Sequence, residues 1–276
     1  MTKKIFIFTR YSVLLKTKAW ALSKDNDFDQ YREKLFSSER MQQHSFFFKE
    51  LTIPSILYQK NIPESVDFYY IVLTSKHLPN EERIKLESTL SELQRSKIIY
   101  IEPEEDLYDV INNFISKEVK VGEIFASIRL DDDDALHPKF IASVSKYMER
   151  SFVGHVISHS RGYATLFDFD QQAFISAISI NYPKNAQGMA FINSRINEDK
   201  YFTDQVNVYE IGNHTIVDKF YPLIIDETIN GYIRMCYKNQ DTAEKFYIKN
   251  SAKNNNVAIN RIAKKFPLNL LKSEML

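Results

Sequence analysis

The sequence predicts an α/β fold in which a mostly parallel β-sheet is flanked by helices. Short apolar runs typical of buried strands alternate with longer runs of helical spacing through residues 1–150. Repeated strand–helix units of this kind place successive strands side by side in parallel, with helices on the faces of the sheet. Beyond residue 150 the segments become shorter and richer in strand signals. We therefore expect a mixed, β-rich second half.

The first half contains the clearest elements. Predicted strands are dense in Ile, Val, Phe and Tyr, and they span residues 5–9, 67–74, 97–101 and 125–130. Predicted helices repeat apolar residues every three or four positions, often behind a Pro or acidic start, and they span residues 38–57, 79–93, 107–115 and 138–148. Residues 12–36 show no assignable pattern.

The second half is predicted from shorter signals. Residues 152–158 and 163–167 flank Ser160-Arg161-Gly162 and indicate a hairpin. Further strands are expected at 173–180, 206–211 and 215–217. The chain shows no internal repeat and no linker, so we expect one domain over residues 1–276, ending in an amphipathic tail at 257–276.

Composition excludes several classes of protein. Lys and Arg number 36, and so do Asp and Glu, so the net charge is zero and general nucleic-acid affinity is not expected. The single cysteine, Cys236, permits no intramolecular disulfide, which fits a reducing compartment. The sequence has no apolar run of about 20 residues, and its first ten residues do not form a signal peptide. We expect a cytoplasmic protein.

Four consecutive aspartates, Asp131 to Asp134, follow the predicted strand at 125–130. In parallel sheets ligands bind beyond the carboxyl ends of the strands, which is where this cluster stands. Adjacent carboxylates repel one another unless a cation neutralises them, and Mg²⁺ and Mn²⁺ prefer such oxygen ligands. The alternative is a solvated acidic turn that caps the helix beginning at Pro138.

Neighbouring residues extend this hypothesis. Arg129 lies on the same side of its strand as Asp131, so it either contacts a phosphate or forms a structural ion pair. His214 either completes the metal site or is a surface turn histidine. Gly188 indicates close backbone approach, to a ligand or within a turn.

Two further sets of residues are candidates for chemistry. His155 and His159 share a strand face, which suits either a zinc site or a hydrogen-bonded pair in a sheet. Transfer to a hydroxyl group with inversion requires a carboxylate base, and the candidates in the second half are Glu198, Asp199 and Asp204. Each of these three acids is also compatible with a solvated surface position.

The chain resembles the bacterial rhamnosyltransferase family in its first half. The matching segments are Phe8-Thr9-Arg10-Tyr11-Ser12, Leu35-Phe36-Ser37-Ser38-Glu39-Arg40-Met41, Phe47-Phe48, Pro54-Ser55-Ile56, Gln59, Leu78-Pro79, and Arg129-Leu130-Asp131-Asp132-Asp133-Asp134-Ala135-Leu136. The last segment holds a DxD-type motif. The resemblance covers most of residues 5–140 and weakens afterwards.

The resemblance implies a GT-A fold and transfer of a sugar from a nucleoside diphosphate donor in the presence of Mn²⁺ or Mg²⁺. Residues 1–150 would bind the nucleotide sugar, and residues 151–256 would hold the acceptor and the catalytic base. It implies donor contacts for Arg10, Tyr11 and Asp131, and metal contacts for Asp133, Asp134 and His214. Arg129, Asp132 and Gly188 are further candidates for contact with the donor. Rhamnose from dTDP-rhamnose is implied, while UDP- and GDP-linked sugars stay open.

Three hypotheses follow for function. The first is an inverting hexosyltransferase that builds lipopolysaccharide or capsule on a lipid-linked glycan at the inner face of the membrane. The basic tail at 257–276 would then lie on anionic lipid, unless it packs on the domain. The second is a sugar-phosphate nucleotidyltransferase, against which the absence of a glycine-rich loop after the first strand argues. The third is a non-catalytic protein whose acidic cluster binds Ca²⁺.

Overall fold

The computed structural model describes residues 3–17, 21–24, 26–237, 240 and 256–272. The strands are β1 (Lys3–Tyr11), β2 (Val66–Ser75), β3 (Ser96–Ile101), β4 (Ile124–Asp131), β5 (Ala135–Leu136), β6 (Val156–His159), β7 (Arg161–Asp168), β8 (Ala173–Asn181), β9 (Ala190–Ser194), β10 (Leu223–Asp226) and β11 (Tyr232–Tyr237). The helices are α1 (Ala21–Lys24), α2 (Phe28–Leu35), α3 (Ser38–Phe47), α4 (Ile53–Leu57), α5 (Asn80–Leu90), α6 (Leu107–Glu118), α7 (Phe140–Ser145), α8 (Ile259–Lys265) and α9 (Asn269–Lys272). A π-helical turn at Phe48–Thr52 joins α3 to α4, and short 3₁₀ helices span Arg150–Phe152 and His214–Lys219.

The larger sheet confirms the predicted α/β fold. Its strand order is β10-β6-β9-β4-β1-β2-β3, and its strands are parallel apart from β9, which runs antiparallel to β4 and β6. Residues 5–8 of β1 are fully buried, as a strand covered on both faces requires. Helices α3, α4, α5 and α7 pack on one face. Helix α6 and the segment 206–217 pack on the other.

A smaller second sheet stands beside the first, with strand order β5-β11-β7-β8. Its core includes Phe47 from α3, Leu51 from the π-helical turn and the apolar side chains of the tail. Ile262, Phe266 and Leu271 are all fully buried there. The apolar face of the tail therefore packs on the domain. Among the described residues, no helix has the length and apolar character needed to cross a bilayer.

Several predictions for the second half were wrong. Strands β6 and β7 lie in different sheets rather than in one hairpin. Gly162 is needed because a Cβ atom there would lie 2.6 Å from the ring of Tyr232. Residues 206–211 form a turn in which Glu210 accepts hydrogen bonds from the backbone of Val206 and Asn207. Residues 215–217 belong to a 3₁₀ helix, and strands β9, β10 and β11 were not predicted.

Candidate active site

A cleft of about 1010 Å³ opens at the carboxyl ends of β1 and β4. These two strands are adjacent and parallel, and Arg10 pairs in register with Asp131. The chain continues from β1 to β2 on one side, whereas β4 lies on the other, so the cleft stands where the strand order reverses. Ligands bind at this position in open α/β sheets. The walls come from α2, α3 and β11, and Asp131 to Asp134 form part of the floor.

His44, Asp132 and Asp133 form a group suited to a metal ion. Each offers one ligand atom, and these atoms all lie within 4.8 Å of one another. The Nδ1 atom of His44, on α3, is 2.9 Å from Oδ2 of Asp132. The two carboxylates are ligands that Mn²⁺ and Mg²⁺ prefer, and the imidazole is a ligand that transition-metal ions accept more readily than Mg²⁺ does. The residues present thus fit a divalent ion, with His44 as the imidazole ligand.

Asp133 is held by residues from β11 and the segment after it. The Tyr237 hydroxyl donates to Oδ2 of Asp133 at 3.2 Å and lies 3.3 Å from Nε2 of His44. The Gln240 amide donates to the same carboxylate oxygen at 2.6 Å. Burial and the charge of Asp132 raise the pKa of Asp133 to about 6, against the lowering effect of His44. A cation would relieve this concentration of negative charge.

Asp134 bonds to β11 and is not part of the ion group. Its Oδ1 atom accepts a hydrogen bond from the backbone N–H of Met235 at 3.0 Å, and the residue is almost fully buried. Burial and the neighbouring carboxylates raise the pKa of Asp134 well above its ordinary value. The Thr52 hydroxyl lies 2.9 and 2.8 Å from the carbonyl oxygens of Asp132 and Asp134, to which it donates. Asp134 thus anchors the acidic loop to β11, and it lies outside the group that we expected it to join as a metal ligand.

Asp131, the last residue of β4, lies among three arginines. Its Oδ1 atom is 3.7 Å from Arg10 and 3.8 Å from Arg129. Burial opposes its ionisation, but Arg129, Arg10 and Arg234 outweigh burial and lower the pKa of Asp131. The ring of Tyr209 lies under both guanidinium groups, with centroids 5.4 Å from Arg10 and 5.7 Å from Arg129. Paired guanidinium groups in a cleft favour a phosphate or carboxylate ligand.

His214 lines the cleft but does not belong to the metal group. Its Nδ1 atom is 2.5 Å from the carbonyl oxygen of Lys184. Burial lowers the pKa of His214, as do Arg129 and Arg234. The structure therefore brings His214 to the cleft without placing it beside Asp133, its expected partner in metal binding.

Two residues that we expected to contact the donor have structural contacts instead. The ring of Tyr11 is buried and packs against Phe48 at 5.0 Å between centroids. Gly188 has a φ of +72°, and a Cβ atom there would lie 2.5 Å from the ring of Phe140. Its N–H donates to the carbonyl oxygen of Arg129. Glycine is required at position 188 because the backbone there lies close to the buried ring of Phe140.

The structure does not bring Glu198, Asp199 and Asp204 to the cleft. They follow β9, whose Ser194 end pairs with Ile124 at the start of β4. Strand β4 has eight residues, so its two ends lie about 23 Å apart at ~3.3 Å per residue. Glu198 forms an ion pair with Arg195 at that far edge. This placement corrects the expectation that the base lies in residues 198–204, because the loop is at the amino end of the sheet.

The histidine pair is placed apart from the cleft. His159 is buried, and its Nε2 atom lies 2.9 Å from the Ser143 hydroxyl, which donates to Asp226. Within the part of the chain that the structure describes, neither His155 nor His159 joins a metal-binding group. His159 is therefore a histidine hydrogen-bonded within the fold, which is the alternative to a zinc ligand.

The cleft also contains residues that the sequence had not indicated, among them His44, Arg234 and Tyr237. His44 lies within the predicted helix at 38–57, where nothing distinguished it from a surface residue. The other two lie on β11, which was not predicted. Residues 232–237 gave no chemical signal in the sequence, since tyrosines are frequent throughout the chain.

A cleft that holds a carboxylate–imidazole group beside arginines, at the carboxyl edge of a parallel-rich sheet, defines an α/β enzyme of the nucleotide-binding type. A family model described as "Putative rhamnosyl transferase" matches residues 4–248. The chain belongs to this family of glycosyltransferases.

Comparison with individual proteins gives remote similarity. No curated protein matches the chain. S. aureus TarS 1–349 in complex with UDP is 12% identical with a TM-score of 0.40, over 90% of this chain and 63% of that one. The mannosyltransferase PcManGT from Pyrobaculum calidifontis, in complex with GDP-Man and Mn²⁺, is 11% identical with a TM-score of 0.45, over 89% of this chain and 60% of that one. The chain thus spans less than two thirds of the length of these two proteins.

Proposed function

We propose that this protein is a metal-dependent glycosyltransferase that moves a sugar from a nucleoside diphosphate to a glycan acceptor with inversion. The observation that carries the proposal is that one cleft contains both a group of residues suited to a cation and a group suited to an anion. His44, Asp132 and Asp133 form a group suited to a cation. Arg10 and Arg129 form a group suited to an anion. A metal–diphosphate complex presents both charges and is complementary to both groups.

The two groups are adjacent because Asp131 ends strand β4 and Asp132 is the next residue along the chain. His44, Asp132 and Asp133 would hold Mn²⁺ or Mg²⁺, and a bound divalent ion would stabilise the negative charge of the leaving diphosphate. Arg10 and Arg129 would contact the phosphate oxygens that face them. Tyr209 would keep these two guanidinium groups in place.

The family supports a choice of donor and acceptor to test first. Its description favours rhamnose, so dTDP-rhamnose is the first donor, followed by UDP- and GDP-linked sugars. We propose a glycan of lipopolysaccharide or capsule as the acceptor, on the strength of the family alone. The buried apolar face of the tail gives no support to membrane contact through residues 257–276.

Calorimetric titration with dTDP, UDP, GDP and CDP, each with and without Mn²⁺, tests the proposal. We expect one nucleotide to bind tightly only with Mn²⁺ and to lose its affinity in Asp133→Asn. The matched control is Asp199→Asn, which removes an exposed carboxylate at the opposite edge of the sheet and should bind as the wild type does. If no nucleotide binds to the wild type under either condition, the proposal is wrong.

Binding measurements with other ligands distinguish the two alternative functions. A nucleotidyltransferase would bind a nucleoside triphosphate and release pyrophosphate when a sugar phosphate is added, and a Ca²⁺-binding protein would bind the ion without any nucleotide. We expect instead that the bound nucleoside diphosphate is the product released from the corresponding nucleotide sugar.

A further inference from the structure

We propose that His214 is the general base of the transfer and that its Nε2 atom accepts the proton of the acceptor hydroxyl. This inference rests on the proposed function and assigns a role that the carboxylates of residues 198–204 are too distant to fill. His214 lines the cleft beside Arg129 and Arg234. It lies apart from the group formed by His44, Asp132 and Asp133.

The hydrogen bond at Nδ1 decides which nitrogen is the base. A carbonyl oxygen can only accept, so the Nδ1 atom 2.5 Å from the Lys184 carbonyl must carry the hydrogen. In the neutral ring the Nε2 atom then holds a lone pair. The backbone thus selects the tautomer that a base requires, in the way that a carboxylate or carbonyl orients a catalytic imidazole.

The ring is held in place from two directions. His214 begins the 3₁₀ helix at 214–219, and the side chain of Asn213 caps that helix by accepting from the backbone N–H of Thr215. Lys184 forms an ion pair with Asp218 of the same helix, at 3.0 Å. The loop that supplies the carbonyl oxygen is therefore fastened to the helix that carries the imidazole.

Other proton acceptors in the described part of the cleft are committed to other contacts or lie on a different wall. Asp131 lies between arginines, Asp134 accepts from the Met235 N–H, and Asp132 and Asp133 belong to the metal group. Glu33 and Glu39 stand on the wall formed by α2 and α3. They are the competing assignments.

The electrostatic surroundings keep the ring neutral at pH 7. Burial lowers the pKa of His214 most, and Arg129 from β4 and Arg234 from β11 lower it further. The Lys184 carbonyl and Asp131 act in the opposite direction without reversing the shift. Activity should consequently fall only as the pH drops below the ordinary histidine value of 6.5.

The step balances without an additional reactant. The proton of the acceptor O–H group moves to Nε2 of His214 as the acceptor oxygen bonds to the anomeric carbon. The bond between that carbon and the diphosphate oxygen breaks, and its electron pair leaves with the diphosphate. The proton on His214 then passes to solvent. With water as acceptor, the same step hydrolyses the donor.

The experiment uses the full chain and the nucleotide sugar whose diphosphate binds in calorimetry. Release of the nucleoside diphosphate is measured for the wild type, His214→Ala, His214→Asn and the control His77→Ala, whose imidazole is exposed outside the cleft. Both His214 variants should lose about 10²- to 10⁴-fold in rate, the range for a general base. Affinity for the diphosphate with Mn²⁺ should stay within about 2-fold, since binding does not use the base.

Two readouts separate a base from a structural residue. Added imidazole should restore part of the rate of His214→Ala, and the acidic limb of the pH–rate profile should disappear in both variants. His214→Asn retains an amide donor near the Lys184 carbonyl, so it serves if the alanine variant does not fold.

Each failure has its own signature. If the wild type neither binds a nucleotide nor releases one, the proposed function itself fails. If the wild type is active and the His214 variants stay within about 3-fold of it, His214 is not the base. A loss of Mn²⁺–diphosphate affinity as large as the loss in rate would assign His214 to donor or metal binding and overturn the proposal. Loss of rate only in Glu33→Gln or Glu39→Gln would place the base on the wall formed by α2 and α3.

Discussion

Gly188→Ala should destabilise the protein by about 2–5 kcal/mol. The backbone at Gly188 has a φ of +72°, and an L-residue with a Cβ atom in this region costs about 1–2 kcal/mol. The added Cβ would lie 2.5 and 2.8 Å from two atoms of the Phe140 ring. Because Phe140 is fully buried, its ring cannot move aside freely, and overpacking of this kind costs about 1–3 kcal/mol.

Gly212→Ala is the matched control for this prediction. Gly212 has a φ of +82°, but a Cβ atom there would meet nothing within 4 Å. Only the backbone cost of about 1–2 kcal/mol then applies. Urea unfolding of both variants should show Gly188→Ala to be less stable than Gly212→Ala by about 1–3 kcal/mol, with unchanged m-values.

The same unfolding measurement tests whether contact with Phe140 is the reason that residue 188 is a glycine. If Gly188→Ala is no less stable than Gly212→Ala, the contact with Phe140 is not tight and the reasoning fails. If Gly188→Ala folds with wild-type stability but loses nucleotide affinity, then the backbone at this position approaches the donor, as the sequence alone had suggested.

Three further predictions address other parts of the molecule. Burial lowers the pKa of His159 to about 4, so up to about 3 kcal/mol of the free energy of unfolding is lost as the pH falls from 6.5 towards 4. In His159→Gln the free energy of unfolding, measured with urea, should depend less on pH over that window. An unchanged pH dependence would contradict the assignment. Phe266→Ala should lower the free energy of unfolding by about 3–5 kcal/mol, because the ring is fully buried. Since the tail packs on the domain, the full chain should not float with anionic liposomes. Flotation that depends on residues 257–276 would show that the tail leaves the domain. Tyr209→Leu should weaken nucleotide binding by about 5- to 30-fold, because two cation–π contacts are lost. Tyr209→Phe keeps the ring and should bind as the wild type does. Equal affinities of the two variants in calorimetry would exclude the ring as a support for Arg10 and Arg129.

The first half of the fold could be predicted because its segments are long and internally consistent. Strand β4 was expected at 125–130 and spans Ile124–Asp131, and α6 was expected at 107–115 and spans Leu107–Glu118. The second half could not be predicted because its pairing is non-local. Strand β11, for example, pairs with β5 and β7, which lie about 100 and 70 residues earlier, respectively.

The candidate site was predictable only where neighbours in sequence are neighbours in space. Asp131 and Arg129 stand two residues apart on one strand, so their association followed from alternation. His44 lies 88 residues before Asp132, and only the tertiary structure brings them together. The mistaken role of residues 198–204 has the same origin, because an antiparallel strand, β9, carries the chain away from the cleft before those acids are reached.

The anchoring of the acidic loop by β11 has a consequence for how the protein is made. Met235 and Tyr237 contact Asp134 and Asp133 from 101 and 104 residues further along the chain. At about 5–20 residues per second of synthesis, the four aspartates leave the ribosome roughly 5–20 seconds before these partners. Until β11 docks, the loop lacks its contacts with Met235 and Tyr237, so the proposed affinity for a nucleotide would arise only with the last strand of the second sheet. Ligand binding therefore reports complete folding, and a bound ligand would hold β11 in place by mass action.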